Sequence, residues 1–371
     1  MINTSNIENV FAANFAERGE LGAAFCVWSD AGAVVSLAGG ATSRESTAAP
    51  WTEHTLVPVW STTKGPAAAT LLWALDRARL TLDTPVSHVW PELGADATFG
   101  QLLSHQAGLP ALDVPTPVFD HDALVIALER QVPSWAPGQA HGYHPRTFGV
   151  LLDECVRRVC GAPLGDVWHR EIATPLELDV WIGLPAHTIS RVATVYAGRF
   201  ILKLEEQDFN KAFSDASSLT RRAFDSVRGL NAIHEMNDPA AWALGQPAFG
   251  GVASARGLAR FYHALATGES GIFSETVRRW AETTLSDGND RVLHMPTAFS
   301  AGFQKDPVGT RLEQRRSHYG PRPRAFGHPG AGGSLAWADP DRRLGCAYVM
   351  NLIAPGVMPG ERALSLVQAM G

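Results

Sequence analysis

The sequence predicts an α/β (α+β) protein: an antiparallel sheet flanked by helices and built from both chain ends, with a mostly helical domain inserted between them. Three observations predict it. Two strand-like runs near the N-terminus, 22–28 and 33–38, are joined by Ser29-Asp30-Ala31-Gly32, a hairpin signal. From about 80 to 240 the pattern changes to helices and long loops rich in Pro and Gly. In the last third, strand-like runs return, punctuated by Gly330-Ala-Gly-Gly333 and Ala338-Asp-Pro-Asp341.

Each element has its own signal. Ile7, Val10, Phe11 and Phe15 fall at helical spacing and predict a helix over 5–17. A second helix is predicted over 61–79. Ala67 to Leu75 is apolar on almost every side, so this helix is buried all round. Pro66 fits there only within the first turn or so, where its missing N–H costs little. Further helices are predicted at 99–104, 121–131, 146–160 and 164–172, then at 255–267, 273–284 and 360–369. Strands are predicted near 298–303, 325–328, 333–338 and 344–350. Residues 190–240 have clustered charges and no clear period. The chain has 371 residues, more than the roughly 250–300 at which one hydrophobic core stops growing. Two intimate lobes are therefore expected: an α/β domain from 1–60 and 245–371, and a helical domain from 61–244.

Composition excludes several function classes. Net charge is −6 with no basic patch, which argues against nucleic acid as a partner. No run of about 18 apolar residues exists, so no membrane span is expected. The first residues lack the basic region of a secretory signal. Cys26, Cys155, Cys160 and Cys346 lie in largely apolar contexts and read as buried reduced thiols. A cytoplasmic protein is the expectation. His141 and His144 are close in sequence, but no carboxylate joins them at ligand spacing, so neither metal nor cofactor is expected. Oligomeric state is not legible.

The chemistry starts from Trp60-Ser-Thr-Thr-Lys64. A hydroxyl is a poor nucleophile until a base takes its proton. Lysine three residues after serine on a helix shares a face with it. A serine at the helix start also gains free N–H groups and the helix dipole. With 22 serines and four lysines in the chain, about 0.24 Ser-x-x-Lys pairs are expected by chance. One occurs, at Ser61. The apolar flanks bury Lys64, and a buried lysine has a lowered pKa suited to a base. Tyr143, on the loop before the helix near Arg146, is the candidate to relay the proton. Its local sequence fits a core tyrosine equally. In Phe326-Gly-His328-Pro-Gly330-Ala-Gly-Gly-Ser334, small residues let backbone approach a bound acyl group. The N–H of Ala331 could pair with that of Ser61 as an oxyanion hole. His328 and Gly330 would face the same cleft, although His328 also fits a structural role. Trp135, Trp181, Phe249 and Trp337 are candidates for the pocket wall, Trp337 foremost. Each also fits the core. No Gly-x-Ser-x-Gly occurs, which disfavours an α/β-hydrolase.

Together these segments resemble the serine β-lactamase-like superfamily, which includes class C β-lactamases, D,D-peptidases and family VIII carboxylesterases. Besides Ser61-x-x-Lys64, the resemblance is carried by Leu82-Asp-Thr-Pro-Val86 and Leu102-Leu-Ser-His-Gln-Ala-Gly-Leu-Pro110. It continues through Pro137-Gly-Gln to Tyr143, Phe148-Gly-Val-Leu-Leu152 and Pro175-Leu-Glu-Leu178. It ends with Phe249-Gly-Gly251 to Leu258-Ala-Arg-Phe261, Phe326-Gly-His-Pro-Gly330, Ala338-Asp-Pro340 and Tyr348-Val-Met-Asn351. It runs from about residue 20 to the end and omits only 185–240, a variable stretch expected to form part of the cleft wall. The resemblance implies a β-lactamase/transpeptidase-like fold. It also implies attack by Ser61 on a carbonyl, an acyl-enzyme, and proton handling shared by Lys64 and Tyr143. Two departures bear on substrate. Where relatives carry Tyr-x-Asn, the third residue is Pro145, which has no side-chain donor. Where they carry Lys-Thr-Gly, this chain has His328-Pro-Gly330, with at most a weak positive charge near neutral pH. Both changes remove polar anchors for β-lactams. The expectation is a serine carboxylesterase acting on small, short-chain esters, with a β-lactamase, D,D-peptidase-type amide hydrolase or acyltransferase as the alternative.

Overall fold

The computed structural model describes residues 2–199, 203–308 and 318–371. Helix α1 (Thr4–Ala16) opens the fold, its first turn capped by Asn3, whose side chain accepts from the Asn6 N–H. Strands β1 (Gly22–Ser29) and β2 (Gly32–Gly40) form the expected hairpin. Helix α2 (Lys64–Arg77) follows a single 3₁₀ turn, Trp60–Thr63. The predicted helix over 61–79 is therefore two pieces, with Ser61 in the turn and Pro66 in the first turn of α2. Helix α3 (Thr147–Cys160) ends at Gly161 in the left-handed conformation, φ +72°. Helix α4 (Ala255–Thr267) is capped by Ser254 and ended by Gly268 in the same way. The closing strands are β3 (Ser286–Asn289), β4 (Pro296–Phe299), β5 (Gln304–Lys305), β6 (Phe326–Pro329), β7 (Leu335–Asp339) and β8 (Leu344–Met350), followed by helix α5 (Glu361–Ala369).

The eight strands form one antiparallel sheet in the order β2-β1-β8-β7-β6-β5-β4-β3. The N-terminal hairpin thus joins the last strand, and the sheet is built from both ends of the chain. All seven residues of β8 are buried because helices cover both faces. On one face α4 lies so close that a Cβ on Gly345 would stand 1.9 Å from the Ala259 carbonyl oxygen. On the other, Phe11 and Phe15 of α1 pack over Gly39. Helix α5 is tied to α1 by Asn14, whose amide donates to the Arg362 carbonyl at 3.1 Å.

Three expectations need correction. The strand predicted near 298–303 covers only the end of β4, and residues 300–303 are the bend between β4 and β5. Gly302 takes φ +88° there, and a Cβ on it would lie 2.2 Å from the Ala68 Cβ of α2. Strand β3 was not foreseen because Ser-Asp-Gly-Asn has the composition of a turn. The stretch 190–240 holds helices Gln207–Ser214 and Leu219–Asp225 and the start of Pro239–Leu244, each too short to show a period.

Candidate active site

Ser61 sits in a turn held from three sides. Trp60, directly before it, has φ +46°, a conformation that non-glycine residues adopt only when their surroundings enforce it. The Thr63 hydroxyl donates to the Trp60 carbonyl and accepts from the Gly251 N–H at 2.9 Å. The Val59 N–H donates to the Gly251 carbonyl at 3.0 Å. The Ser334 hydroxyl donates to the Val59 carbonyl at 2.9 Å and shares a 3.0 Å bond with the Thr62 hydroxyl. The residue leading into β7 and the loop before α4 thus fix the turn that presents Ser61.

Lys64 is fully buried. Its Nζ lies 2.8 Å from the Pro145 carbonyl oxygen, 2.8 Å from that of Ala248, and 3.2 Å from Ser61 Oγ. Burial holds its pKa well below the usual lysine value, and the charge of Arg146 adds to the effect.

Tyr143 lies alongside, with Lys64 Nζ 4.8 Å from its ring centre. Burial raises its phenol pKa, the Asp290 carboxylate adds to the rise, and a side-chain contact with Ser61 opposes it without reversing it. Asp290 also places the residue. This buried carboxylate accepts the Tyr143 N–H at 3.0 Å, the N–H groups of Val292 and Leu293 at 2.8 Å, and the Thr297 hydroxyl at 3.1 Å.

Ser61, Tyr143, His328 and Ala331 line one small cavity of about 30 Å³, together with Phe224, Leu293, Gln304, Pro329, Val357 and Met358. That is room for roughly two water molecules. Among the described residues, neither the Ser61 nor the Ala331 N–H has an acceptor. His328 is buried, and its Nδ1 is 2.7 Å from the Pro329 carbonyl oxygen. A carbonyl only accepts, so Nδ1 carries the proton and Nε2 offers a lone pair. Burial and the neighbouring Lys64 hold the His328 pKa down at about 3. The ring is therefore neutral at pH 7, without even the weak charge anticipated from its type.

Two expected pocket residues sit elsewhere. Gly330 faces the turn that carries Ser61 instead of the cavity: a Cβ on it would stand 2.1 Å from Ser334 Oγ and 2.3 Å from the Val59 carbonyl oxygen. Trp337 pairs with Gly327, while Ala336 pairs with His328, so Trp337 points to the opposite face of the sheet, where it meets Phe25. Of the other aromatic candidates, Trp135 packs edge-on to His144, Trp181 stacks on His169, and Phe249 lies under Arg146. The cavity residues that sequence reasoning missed are Phe224, Leu293, Gln304, Val357 and Met358. They come from four separate segments, and no local pattern marks any of them.

Among the described residues, Asp30, His263 and Glu269 are close enough together to surround a cation. Both Asp30 oxygens already accept from Arg343, at 2.7 and 2.9 Å, which makes this an ion-pair network at the sheet edge. A wider recess of about 760 Å³, lined by Asp113, Arg222, Asp225, Ser226 and Asn231 among others, contains neither Ser61 nor Lys64.

A serine, a buried lysine and a tyrosine brought together beside an antiparallel sheet define a serine hydrolase of the penicillin-recognising fold. The chain belongs to the Beta-lactamase family, which it matches over residues 7–369. It is 30% identical to the Mycobacterium tuberculosis protein named Esterase/beta-lactamase LipL, over 95% of this chain and 82% of that protein. Among solved structures it is similar to a penicillin-binding protein homolog from Caulobacter crescentus, with 33% identity and a TM-score of 0.85 over 99% of this chain and 96% of that one. It is equally similar to a family VIII carboxylesterase, with 31% identity, a TM-score of 0.85 and the same coverage. The protein is a hydrolase of the esterase or β-lactamase type.

Proposed function

We propose that the protein is a serine carboxylesterase that cleaves small, short-chain esters through an acyl-enzyme on Ser61. The observation that carries this reading is the surroundings of Lys64 Nζ. Two carbonyl oxygens at 2.8 Å can only accept, so they take two N–H bonds. In the neutral amine the remaining direction is a lone pair, and it faces Ser61 Oγ. Lys64 takes the Ser61 proton as Oγ bonds to the ester carbonyl carbon. The N–H groups of Ser61 and Ala331 receive the developing oxyanion. Tyr143, kept as a phenol, donates its proton to the leaving alkoxide and is reprotonated by Lys64 as the C–O bond breaks. Water then attacks the acyl-enzyme along the same proton path in reverse.

The substrate class follows from the cavity. Its described lining has no cationic side chain, since His328 is neutral, and Pro145 supplies a carbonyl to Lys64 and no side-chain amide to a ligand. Both features suit an uncharged ester and leave the carboxylate of a β-lactam without a partner. The small volume suits a short acyl group. The named activities of the esterase and esterase/beta-lactamase relatives agree with an ester substrate. The test is a p-nitrophenyl ester series from acetate to decanoate on wild type and Ser61→Ala, with nitrocefin, an anilide and an added alcohol acceptor in parallel. Wild-type hydrolysis peaking at short chains and lost in Ser61→Ala is expected. Hydrolysis retained by Ser61→Ala removes the mechanism. Nitrocefin turnover approaching ester turnover makes the protein a β-lactamase, and preferential transfer to the alcohol makes it an acyltransferase.

A further inference from the structure

The geometry points to Arg146 as a positioning residue that holds together the two backbone segments whose carbonyls grip Lys64, and that couples this grip to the cleft wall. The inference rests on the reading of Lys64 as the base. Pro145 and Ala248 supply the two carbonyls, and the residues that follow them in sequence are Arg146 and Phe249. The guanidinium carbon of Arg146 lies 4.3 Å from the centre of the Phe249 ring. Gln246 reinforces the clamp: its Nε2 donates to the Arg146 carbonyl at 3.4 Å, and its Oε1 accepts from the Ala248 N–H at 2.7 Å. The segments pack so closely that a Cβ on Gly149, one turn into α3, would stand 2.4 Å from the Ala248 nitrogen.

The far side of the guanidinium is anchored to residues 224–231. It donates to the carbonyl oxygens of Phe224 and Gly229 and to the Asn231 side chain. Phe224 lines the cavity that holds Ser61, while Asp225 and Ser226 line the wider recess. One buried cation therefore connects the cavity wall, the Tyr143 loop and the loop before α4. No carboxylate forms a salt bridge with Arg146 among the described residues, although Asp225 and Glu235 are near enough to favour its charge. Burial lowers its pKa to about 10, so it is charged at neutral pH.

A cation at this place has a second consequence. The titratable groups near Lys64 are Tyr143, His144 and Arg146 on the loop leading into α3, His105 after the helix Phe99–Leu103, and His328 on β6. The three histidines are buried and held neutral, and Tyr143 is held as a phenol. Arg146 is the charged member of this set, and its charge favours the amine form of Lys64.

The experiment measures kcat/KM for p-nitrophenyl acetate from pH 5 to 10 on the full chain. The variants are Arg146→Gln, Arg146→Lys, Phe249→Leu and Lys64→Ala, with folded, competent sites counted by fluorophosphonate titration. Removing the charge raises the Lys64 pKa, so in Arg146→Gln the acid limb moves to higher pH by about one pH unit. Per competent site, kcat at pH 7 falls tenfold or more and partly recovers at pH 9. Arg146→Lys returns the limb toward its wild-type position. Phe249→Leu keeps the charge and loosens the Ala248 carbonyl, so kcat falls several-fold with the limb in place. An Arg146→Gln profile superimposable on wild type overturns the proposal, as does an Arg146→Lys profile identical to that of Arg146→Gln. If Arg146→Gln does not fold, Phe249→Leu at the wild-type kcat overturns it instead. Lys64→Ala separates the two readings. If it is inactive while Arg146→Gln is unmoved, only the clamp is lost. If it is active, the base assignment falls and the clamp with it.

Discussion

Lys64 Nζ stands 3.2 Å from Ser61 Oγ but only 2.8 Å from each of two backbone carbonyls, so its strongest bonds are to groups that cannot take part in the chemistry. The carbonyls orient the nitrogen and leave its third direction to the serine. Lys64→Arg therefore cannot substitute. A guanidinium stays protonated and is too long and planar for the site. Lys64→Arg and Lys64→Met are both expected to lose about three or more orders of magnitude in kcat for p-nitrophenyl acetate. Tyr143→Phe is expected to lose less in the acylation of activated phenyl esters, whose leaving group needs no proton, than in that of alkyl esters. Stopped-flow acylation rates for the two ester classes check this split.

The cavity predicts the chain-length profile. A volume of about 30 Å³ bounded by Phe224, Leu293, Val357 and Met358 cannot take a long acyl tail in the geometry described. Phe224 packs against Phe209 and Phe213, and the residue after it, Asp225, lines the wider recess. Phe224→Ala is expected to move the optimum two or more carbons toward longer esters. Each methylene newly buried favours the longer substrate by about 0.8 kcal/mol, roughly fourfold in kcat/KM. An unchanged profile would mean that the acyl chain lies elsewhere.

How much of this was legible in the sequence depended on whether the signal was local. Ser61 and Lys64 are three residues apart, and the N-terminal hairpin and buried helix α2 have short-range patterns. Their elements are visible in the chain. Tyr143 stood out only through the family resemblance, because its own loop fits a core tyrosine equally well. Trp337 was misplaced because strand register sends alternate residues to opposite faces, and one position decides whether a side chain meets His328 or Phe25. Gly330 was read as making room for a ligand, whereas it makes room for the Val59 carbonyl. Asp290, Gln304 and Met358 reach the site by tertiary folding alone, so nothing in their neighbourhoods announces them.

Gly330 makes its own prediction. A methyl group there would overlap Ser334 Oγ, the Val59 carbonyl oxygen and Thr62 Oγ1, all parts of the turn that presents Ser61. Gly330→Ala is expected to cost about 1–3 kcal/mol of stability and to lower kcat further by displacing Oγ from Lys64. Thermal unfolding and steady-state kinetics on the same preparation separate the two effects. A variant that loses stability while keeping its kcat per folded molecule would show that the turn tolerates displacement.

The buried histidines predict how the fold responds to acid. His105, His144 and His328 are all held neutral by burial, His144 and His328 with pKa values near 3. Their unfolded pKa is about 6.5, so the unfolded chain binds more protons than the folded one below that pH. Their contribution to stability is thus fully present above pH 6.5 and is lost as the pH falls toward 3. His144 and His328 each remove about 1.4 kcal/mol per pH unit over that window, and His105 acts in the same direction. The histidine contribution to the melting temperature is expected to be flat near neutrality and to drop steeply from about pH 6 downward, on top of the separate rise with pH that the depressed Lys64 pKa gives at higher pH. His144 is the best single probe. Its Nδ1 donates to the Gly142 carbonyl at 2.7 Å, and its Nε2 accepts the Leu109 N–H at 3.0 Å, so protonation breaks a bond as well as placing a charge in the core. His144→Gln is expected to be less stable at pH 8 but to lose stability more slowly on acidification. Its melting temperature should fall with pH along a visibly shallower curve than that of the wild type. Parallel curves would mean that His144 is not among the groups that protonate as the protein unfolds.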